Sequence, residues 1–377
     1  MTAAVASSAS SAGFLPRAAL DSLIRALEAA GYRCLGPRVR DGAIVYEPMG
    51  GAQDLPRGVR DRQGPGQYRL RQTGDARCFA WANGPQALKP LLFRPQEVLW
   101  RAVRGAGGAL RFESVTASVE PLAVIGVRAC DLAALALQDQ HFLAEGRSDP
   151  HYAARRRALL LIAVNCSHPA ATCFCQATGD GPLVTGGHDL LLDELDEGFV
   201  LQAGSAEGQR IAAGLPLRPL SDAQFADLQR QRREAATPGP RRLPPGSLAG
   251  RLFERHDHPH WRQVAERCLS CGNCTAVCPS CFCSANHAQR TADGEVSEQL
   301  REWDSCFSEG HSYIHGITLR AETRLRYRQW LTHKFDAWHA QYGRSGCVGC
   351  GRCISWCPAG IDPTEELAVL LGEAEDA

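Results

Sequence analysis

Two cysteine runs of the same spacing govern what this 377-residue chain can fold into. The first is Cys268, Cys271, Cys274 and Cys278, followed by Pro279; the second is Cys347, Cys350, Cys353 and Cys357, followed by Pro358. Each reads C-x2-C-x2-C-x3-C-P, and 68 residues lie between them. Three thiols at that spacing reach one side of a single tight loop, and Gly272, Gly349 and Gly351 help the loop wrap because they have no Cβ to obstruct it. The proline then keeps the chain from running straight on, so the fourth sulfur points away from the first three. Zinc knuckles pair two short C-x2-4-C units, whereas these eight cysteines fall into two complete four-member runs.

This is the ligand spacing of two-cluster bacterial ferredoxins, in which three thiolates of a run hold one 4Fe-4S cubane and the fourth crosses to the other. The expected ligand sets are Cys268, Cys271, Cys274 and Cys357 for one cluster, and Cys347, Cys350, Cys353 and Cys278 for the other. The long connection, residues 279–346, carries Cys281, Cys283 and Cys306 with His287, His311 and His315 nearby. Three thiols and a histidine form a candidate further metal site, against the plainer reading that they pack around the cubanes. Residues 319–335 read as a basic helix with Arg320, Arg324, Arg326, Arg328 and Lys334 interleaved with Leu325, Trp330 and Leu331. Such cations favour the reduced form of a neighbouring cluster or dock an acidic partner, unless they are simply a solvated face.

Lys plus Arg equals Asp plus Glu at 41 each, which removes the long-range attraction expected of a binder of nucleic acid or anionic membranes. Residues 1–13 are a Ser/Ala tract with neither basic residues nor a sustained apolar stretch, so they are expected to be disordered and not a signal peptide. The seventeen cysteines are then read as reduced ligands in a cytoplasm, not as a secreted disulfide framework. No run of about 18 apolar residues is present, so no membrane span is expected.

Along the chain, Leu20, Leu23, Ile24 and Leu27 line one face of a helix that Gly31 ends, and a hairpin turning at Arg40, Asp41 and Gly42 follows. Residues 50–96 read as loops, with Lys89, Phe93 and Pro95 as candidate lining residues. Residues 122–127 and 158–164 are short apolar runs typical of buried strands, joined by a helical pattern over 131–143. Strand, helix, strand makes a parallel crossover unit whose ligands lie beyond the carboxyl ends of the strands. Cys130 and Cys166 sit just past those ends, and Cys173 and Cys175 come close behind, so four thiols are candidates for a third iron-sulfur cluster or a zinc site. The alternative is that they are buried apolar fillers. His168 and His188 are candidate outside ligands. Further strands are expected at 190–192 and 199–201, and a charged helix over 221–234. Pro238, Pro240, Pro244 and Pro245 mark residues 236–250 as a linker between an α/β domain, 14–235, and a ferredoxin-type domain, 251–377. The fold class is thus α+β: an N-terminal α/β domain with a parallel β-α-β unit, then a mainly helical C-terminal domain built on a two-cluster ferredoxin-like module.

The Gly-rich segment 105–108 lacks the G-x-G-x-x-G spacing of a dinucleotide site, and no pair of C-x2-C motifs remains for a nickel-iron centre. No acid-base or nucleophile constellation is evident, so no catalytic residues and no flavin or NAD are expected on this chain. Cubanes carry one electron at a time while nicotinamide exchanges hydride, which implies a flavin-bearing partner.

Several elements together resemble a known family: Gly126-Val127-Arg128-Ala129-Cys130-Asp131, Cys173-Phe174-Cys175, the first run with Cys281 and Cys283, Trp303-Asp304-Ser305-Cys306, and residues 347–361. Between about Lys89 and Ile361 the chain is similar to the beta subunit of soluble NAD(P)-linked nickel-iron sulfhydrogenases and to its close relative among the subunits of anaerobic sulfite reductase. The resemblance implies an electron conduit that links a flavin- and NAD(P)-binding diaphorase subunit to a catalytic hydrogenase subunit. Service to a sulfite or polysulfide reductase is the alternative within that class. A metal-stabilised scaffold or redox sensor is the alternative outside it.

Overall fold

The computed structural model describes residues 12–86, 88–105 and 107–372. Most of the Ser/Ala tract expected to be disordered lies outside the described residues, and Gly13 already opens a strand, Gly13–Pro16. A seven-stranded sheet organises the N-terminal half. Its spatial order is Gly13–Pro16, Gly198–Ala203, Leu190–Glu194, Leu159–Val164, Leu122–Val127, Arg33–Arg40 and Ala43–Pro48. The three central pairings are parallel and the outer ones antiparallel.

Side chains alternate across a strand, and the central strands are apolar on both faces because both are covered. Leu160, Ile162 and Val164 pack with Ala123 and Ile125 under the helix Leu20–Ala29, whose Leu20, Leu23, Ile24 and Leu27 face the sheet. Leu159, Leu161 and Ala163 pack with Val124 and Val127 on the other face, under Leu132, Leu135 and Phe142 of the helix Ala129–Phe142. The expected crossover is therefore present: strand Leu122–Val127, helix, and the parallel strand Leu159–Val164. The charged helix forms as Asp222–Ala235, with Ser221 and Gln224 closing a reciprocal N-terminal cap.

In the C-terminal part the helices His260–Arg267, Thr323–Thr332 and Pro363–Leu370 surround an aromatic core that includes Trp261, Tyr327, Trp330 and Phe335. The basic helix is shorter than expected. It turns at His333–Ala337 into a wider π-helical turn before Trp338–Tyr342. The Pro-rich segment is clamped to both sides: Arg241 pairs with Asp362 at 2.6 Å and bonds the Ala171 carbonyl, and the Gly250 N–H donates to Asp336 at 2.7 Å.

Two hairpins depart from expectation. Within 50–96, Val59–Gly64 pairs with Gln67–Gln72, and this hairpin abuts the second cysteine run. Gly66 N–H donates to the Ile354 carbonyl at 3.0 Å, and Tyr68 stacks on Trp356 at 5.0 Å. The insertion contributes Ser284–Arg290 and Val296–Trp303, which join Gln96–Arg104 and Leu110–Ser114 in a four-stranded antiparallel sheet. A buried charge network fastens this second sheet to the first half. Glu97 accepts from Arg301 at 2.7 Å, lies 3.0 Å from His151 Nδ1 and also pairs with Arg155; Arg301 in turn pairs with Asp149.

Removing one partner from a buried ion network leaves uncompensated charge and costs about 3–5 kcal/mol. In an anaerobic urea titration Glu97→Ala is expected to lose roughly that much stability. Glu298→Ala, which breaks a more exposed pair with Arg101, is expected to lose no more than about 1 kcal/mol.

Candidate iron-sulfur centres

Each run is built the same way. Gly272 and Gly351 take left-handed backbone angles, φ 71° and 73°, and each opens a single helical turn, Asn273–Ala276 and Arg352–Ser355. Glycine takes that conformation at no steric cost, and it bends each thiol-bearing loop back on itself.

The loops come together crosswise. One cavity is lined by Cys268, Cys271 and Cys274 of the first run and by Cys353 and Cys357 of the second, with Phe307, Trp330 and Ile361 as apolar walls. Burial pushes the Cys268 and Cys274 thiols up, and the neighbouring Cys357 and Cys271 push them further. The second run gathers with Cys278: burial raises Cys347, Cys350 and Cys353, and Cys278 acts on all three. Cys353 also senses Cys274, so the two groups adjoin. All seventeen thiols are free.

Positive charge enters at chosen points. In the π-helical turn, Lys334 is buried with Nζ 3.0 Å from Ser280 Oγ and 3.5 Å from Cys278 Sγ. Burial works against its charge, but Cys278, Cys281 and Cys347 outweigh that and raise its pKa. Cys278 is held well below the usual thiol range, first by a hydrogen bond from Cys281 and then by Lys334. Lys89, also buried, donates to the Thr275 and Ala276 carbonyls at 3.1 and 3.0 Å and lies 4.0 Å over the Trp303 ring. The arginines of the same helix face elsewhere: Arg326 bonds the Arg320, Ala321 and Phe307 carbonyls, Arg328 bonds the His256 carbonyl and Arg324 pairs with Glu322.

The thiols of the insertion also meet. Cys283 and Cys306 are within hydrogen-bonding reach, Cys281 lies beside both, and His311 contacts Cys283 while Asp304 holds its Nδ1. The hydrogen bond from Cys306, with the help of His311, lowers Cys283 to about 4, and the bond to Cys283, reinforced by Asp304, raises His311 to about 9. His287 lies apart, 3.8 Å from Glu302, and His315 is exposed.

At the edge of the large sheet, Cys173 and Cys175 interact with Cys166 and with Cys350 of the second run, while Cys130 reaches Cys175 and Cys350. These four thiols therefore border the second run. His168 bonds Ser167 and is pushed down to about 4 by burial and by Arg60 and Arg77, while His188 is lowered by burial. Among the described residues no three His, Cys, Asp or Glu side chains converge as they would around one metal ion.

The second run is seated on the N-terminal half. The Phe174 N–H donates to the Gly349 carbonyl at 2.8 Å, and a Cβ on Gly349, at φ 61°, would lie 2.5 Å from the Phe174 carbonyl carbon. Arg352 is 1% exposed; it donates to the Gly84 and Gln86 carbonyls and its Nη1 stands 2.8 Å from Asp131 Oδ1. Sequence reasoning did not single out this pair. A charged side chain directly behind Cys350-Gly351 was the available signal.

A family model described as a 4Fe-4S dicluster domain matches residues 267–361. Sulfhydrogenase 2 subunit beta of Pyrococcus furiosus is 31% identical over 254 residues, 65% of this chain and 72% of that protein. The chain belongs to the sulfhydrogenase beta-subunit family. It is an iron-sulfur subunit of a sulfhydrogenase-like complex. No solved structure matches it. Among the described residues no helix is long and apolar enough to cross a membrane.

In this sulfhydrogenase-family chain the Asp131–Arg352 pair locks a cysteine loop to the sheet. Arg352→Met strands a buried carboxylate and is expected to cost about 3–5 kcal/mol. Combining it with Asp131→Leu is expected to restore part of that loss, because replacing both partners by apolar groups removes the unpaired charge. Anaerobic urea unfolding of the two single variants and the double variant measures the coupling.

Proposed function

We propose that this chain carries electrons singly within a cytoplasmic hydrogenase complex, between a diaphorase subunit that binds flavin and NAD(P) and its nickel-iron catalytic subunit. Cys268, Cys271, Cys274 and Cys357 would hold one 4Fe-4S cluster, and Cys347, Cys350, Cys353 and Cys278 the other. The supporting observation is the crossed grouping of the thiols: Cys357 lines the cavity of the first run, which Cys353 also borders, and Cys278 is set among the cysteines of the second. Cubanes so bound supply one-electron redox chemistry at potentials set by charge, hydrogen bonds and solvent exposure.

The protein side of that task is legible in its residues. Phe307, Trp330 and Ile361 keep water from the first set, and Lys334 and Arg352 place buried cations beside the second, which favours the reduced form. Cys271 is exposed and Leu269 beside it is 68% exposed, so the first set approaches the surface where a partner can dock. The adjacency of Cys274 and Cys353 provides a short path from one set to the other.

The crossed ligation has a genetic signature. Cys357→Ser is expected to remove about half of the iron of the two-cluster module, Cys357→Ser with Cys268→Ser no more than that, and Cys357→Ser with Cys347→Ser nearly all of it. Iron and acid-labile sulfide assays on anaerobically purified protein read this out. Equal loss in both double variants would count against the crossing. The assignment to a hydrogenase is tested on the native complex isolated anaerobically: co-purifying nickel and flavin, with cluster reduction under hydrogen, supports it. Co-purifying siroheme in place of nickel would move the chain to sulfite reduction.

A further inference from the structure

The second sheet ends in an open edge. Its outermost strand, Leu110–Ser114, pairs on one side with Gln96–Arg104 and is exposed along almost its whole length. Two hydrogen bonds fix the phase of that edge. The Val115 N–H donates to the Leu99 carbonyl at 3.2 Å, and the Gly105 N–H to the Ala109 carbonyl at 2.8 Å. Bonded and non-bonded pairs alternate along an antiparallel ladder, so Arg111 and Glu113 direct their backbone groups inward while Leu110, Phe112 and Ser114 direct theirs outward. Such an outward row of N–H and C=O groups is a template for another strand.

The two faces of the edge differ in character. On one, Phe112 is 69% exposed and Leu110 57%, and the Phe112 ring lies 5.7 Å from that of Trp100. Natural edge strands are blunted by proline, a bulge or charge, whereas Leu110, Phe112 and Ser114 leave this face uncharged. On the other face the charges alternate from strand to strand, with Glu298, Arg101 and Glu113 side by side in register. That row stops at Glu113, whose neighbour Arg111 on the same strand pairs with it.

A twofold axis through Phe112 satisfies both faces and the backbone at once. Antiparallel pairing of the strand with itself sets Phe112 against Phe112 and Leu110 against Ser114 as bonded pairs, in the phase that the outward groups require. Arg111 then falls opposite the partner's Glu113, in a non-bonded pair where side chains stand closest, and the alternation of charge runs on across the seam. The two aromatic pairs meet on the other face. Facing opposite charges and aromatic neighbours each contribute about 0.2–1 kcal/mol to strand pairing. The register is also selective: a slip of two residues either way sets Arg111 against Arg111 or Glu113 against Glu113, and like charges directly opposite are destabilising.

We propose that Leu110–Ser114 is an interface between two copies of this chain, which joins their four-stranded sheets edge to edge into one continuous sheet. The interface does not depend on the electron path proposed above.

The test is sedimentation velocity of the full-length chain, reconstituted anaerobically and run over a concentration series. The parent is expected to sediment as a dimer at high concentration and Phe112→Glu as a monomer. Arg111→Glu and Glu113→Arg each put like charges across the seam and are expected to weaken self-association about tenfold. An equimolar mixture of those two variants restores both opposite-charge pairs and is expected to recover the dimer. Hydrogen exchange reads the edge itself: the Phe112 amide is expected to slow at dimer concentrations in the parent and to stay fast in Arg111→Glu. A parent that remains monomeric throughout, a dimer that survives in Phe112→Glu, or a mixture no tighter than its components would overturn the proposal. An edge amide slowed only in the presence of another subunit of the native complex would overturn it too.

Discussion

A buried thiol beside three other thiols resists ionisation twice over, because it has left water and because each neighbouring thiolate repels its charge. Cys274, Cys353 and Cys347 are all raised for these two reasons. Such a group of sulfurs is stable as ligands only if strong positive charge sits among them, and iron is the source that their number and spacing call for. The rest of the C-terminal half follows from this requirement. The left-handed turns at Gly272 and Gly351, the aromatic walls and the buried Lys334 all serve to bring the sulfurs together and to set the charge around them.

The same requirement explains why the large sheet is bound so closely to the second run. A loop carrying three ligands must be rigid, and this one is pressed between the Thr172-to-Cys175 turn, where Gly349 and Gly351 leave no room for a Cβ, and the buried Asp131–Arg352 pair. Asp131 lies in the first turn of the crossover helix, so the ends of the parallel strands, where α/β sheets usually present ligands, here face a neighbouring thiol-bearing loop. The second sheet plays the matching part for the insertion, because the register of its edge hairpin sets Cys283 against Asp304, two residues before Cys306.

Much of this was legible in the chain. The strands Leu122–Val127 and Leu159–Val164 announce themselves as continuous apolar runs because both faces of the sheet are covered, and the helix between them keeps its apolar period. The ferredoxin-type half is announced by the cysteine spacing, and the family by the resemblance that the Cys-Asp, Cys-Phe-Cys and Trp303-Asp304-Ser305-Cys306 elements carry. The hairpin Val59–Gly64 with Gln67–Gln72 was not legible: Arg60, Asp61, Arg62, Arg69 and Arg71 hide its alternation, and its anchor, Trp356, is distant in sequence. The second sheet was hidden for a related reason. Ser284–Arg290 is exposed throughout, and its neighbour Val296–Trp303 pairs onward with residues about 200 positions away. Lys334 was visible only as one of five basic residues, since the π-helical turn that aims it at Cys278 leaves no pattern in the sequence.

The crossed grouping of the two cysteine runs is the claim on which the functional reading stands. Anomalous diffraction at the iron edge from anaerobically grown crystals measures it most directly. The expected map has one compact iron peak flanked by Cys268, Cys271, Cys274 and Cys357, and a second flanked by Cys347, Cys350, Cys353 and Cys278. Peaks in which each run keeps its own fourth cysteine, or a map with no iron at either place, would contradict it.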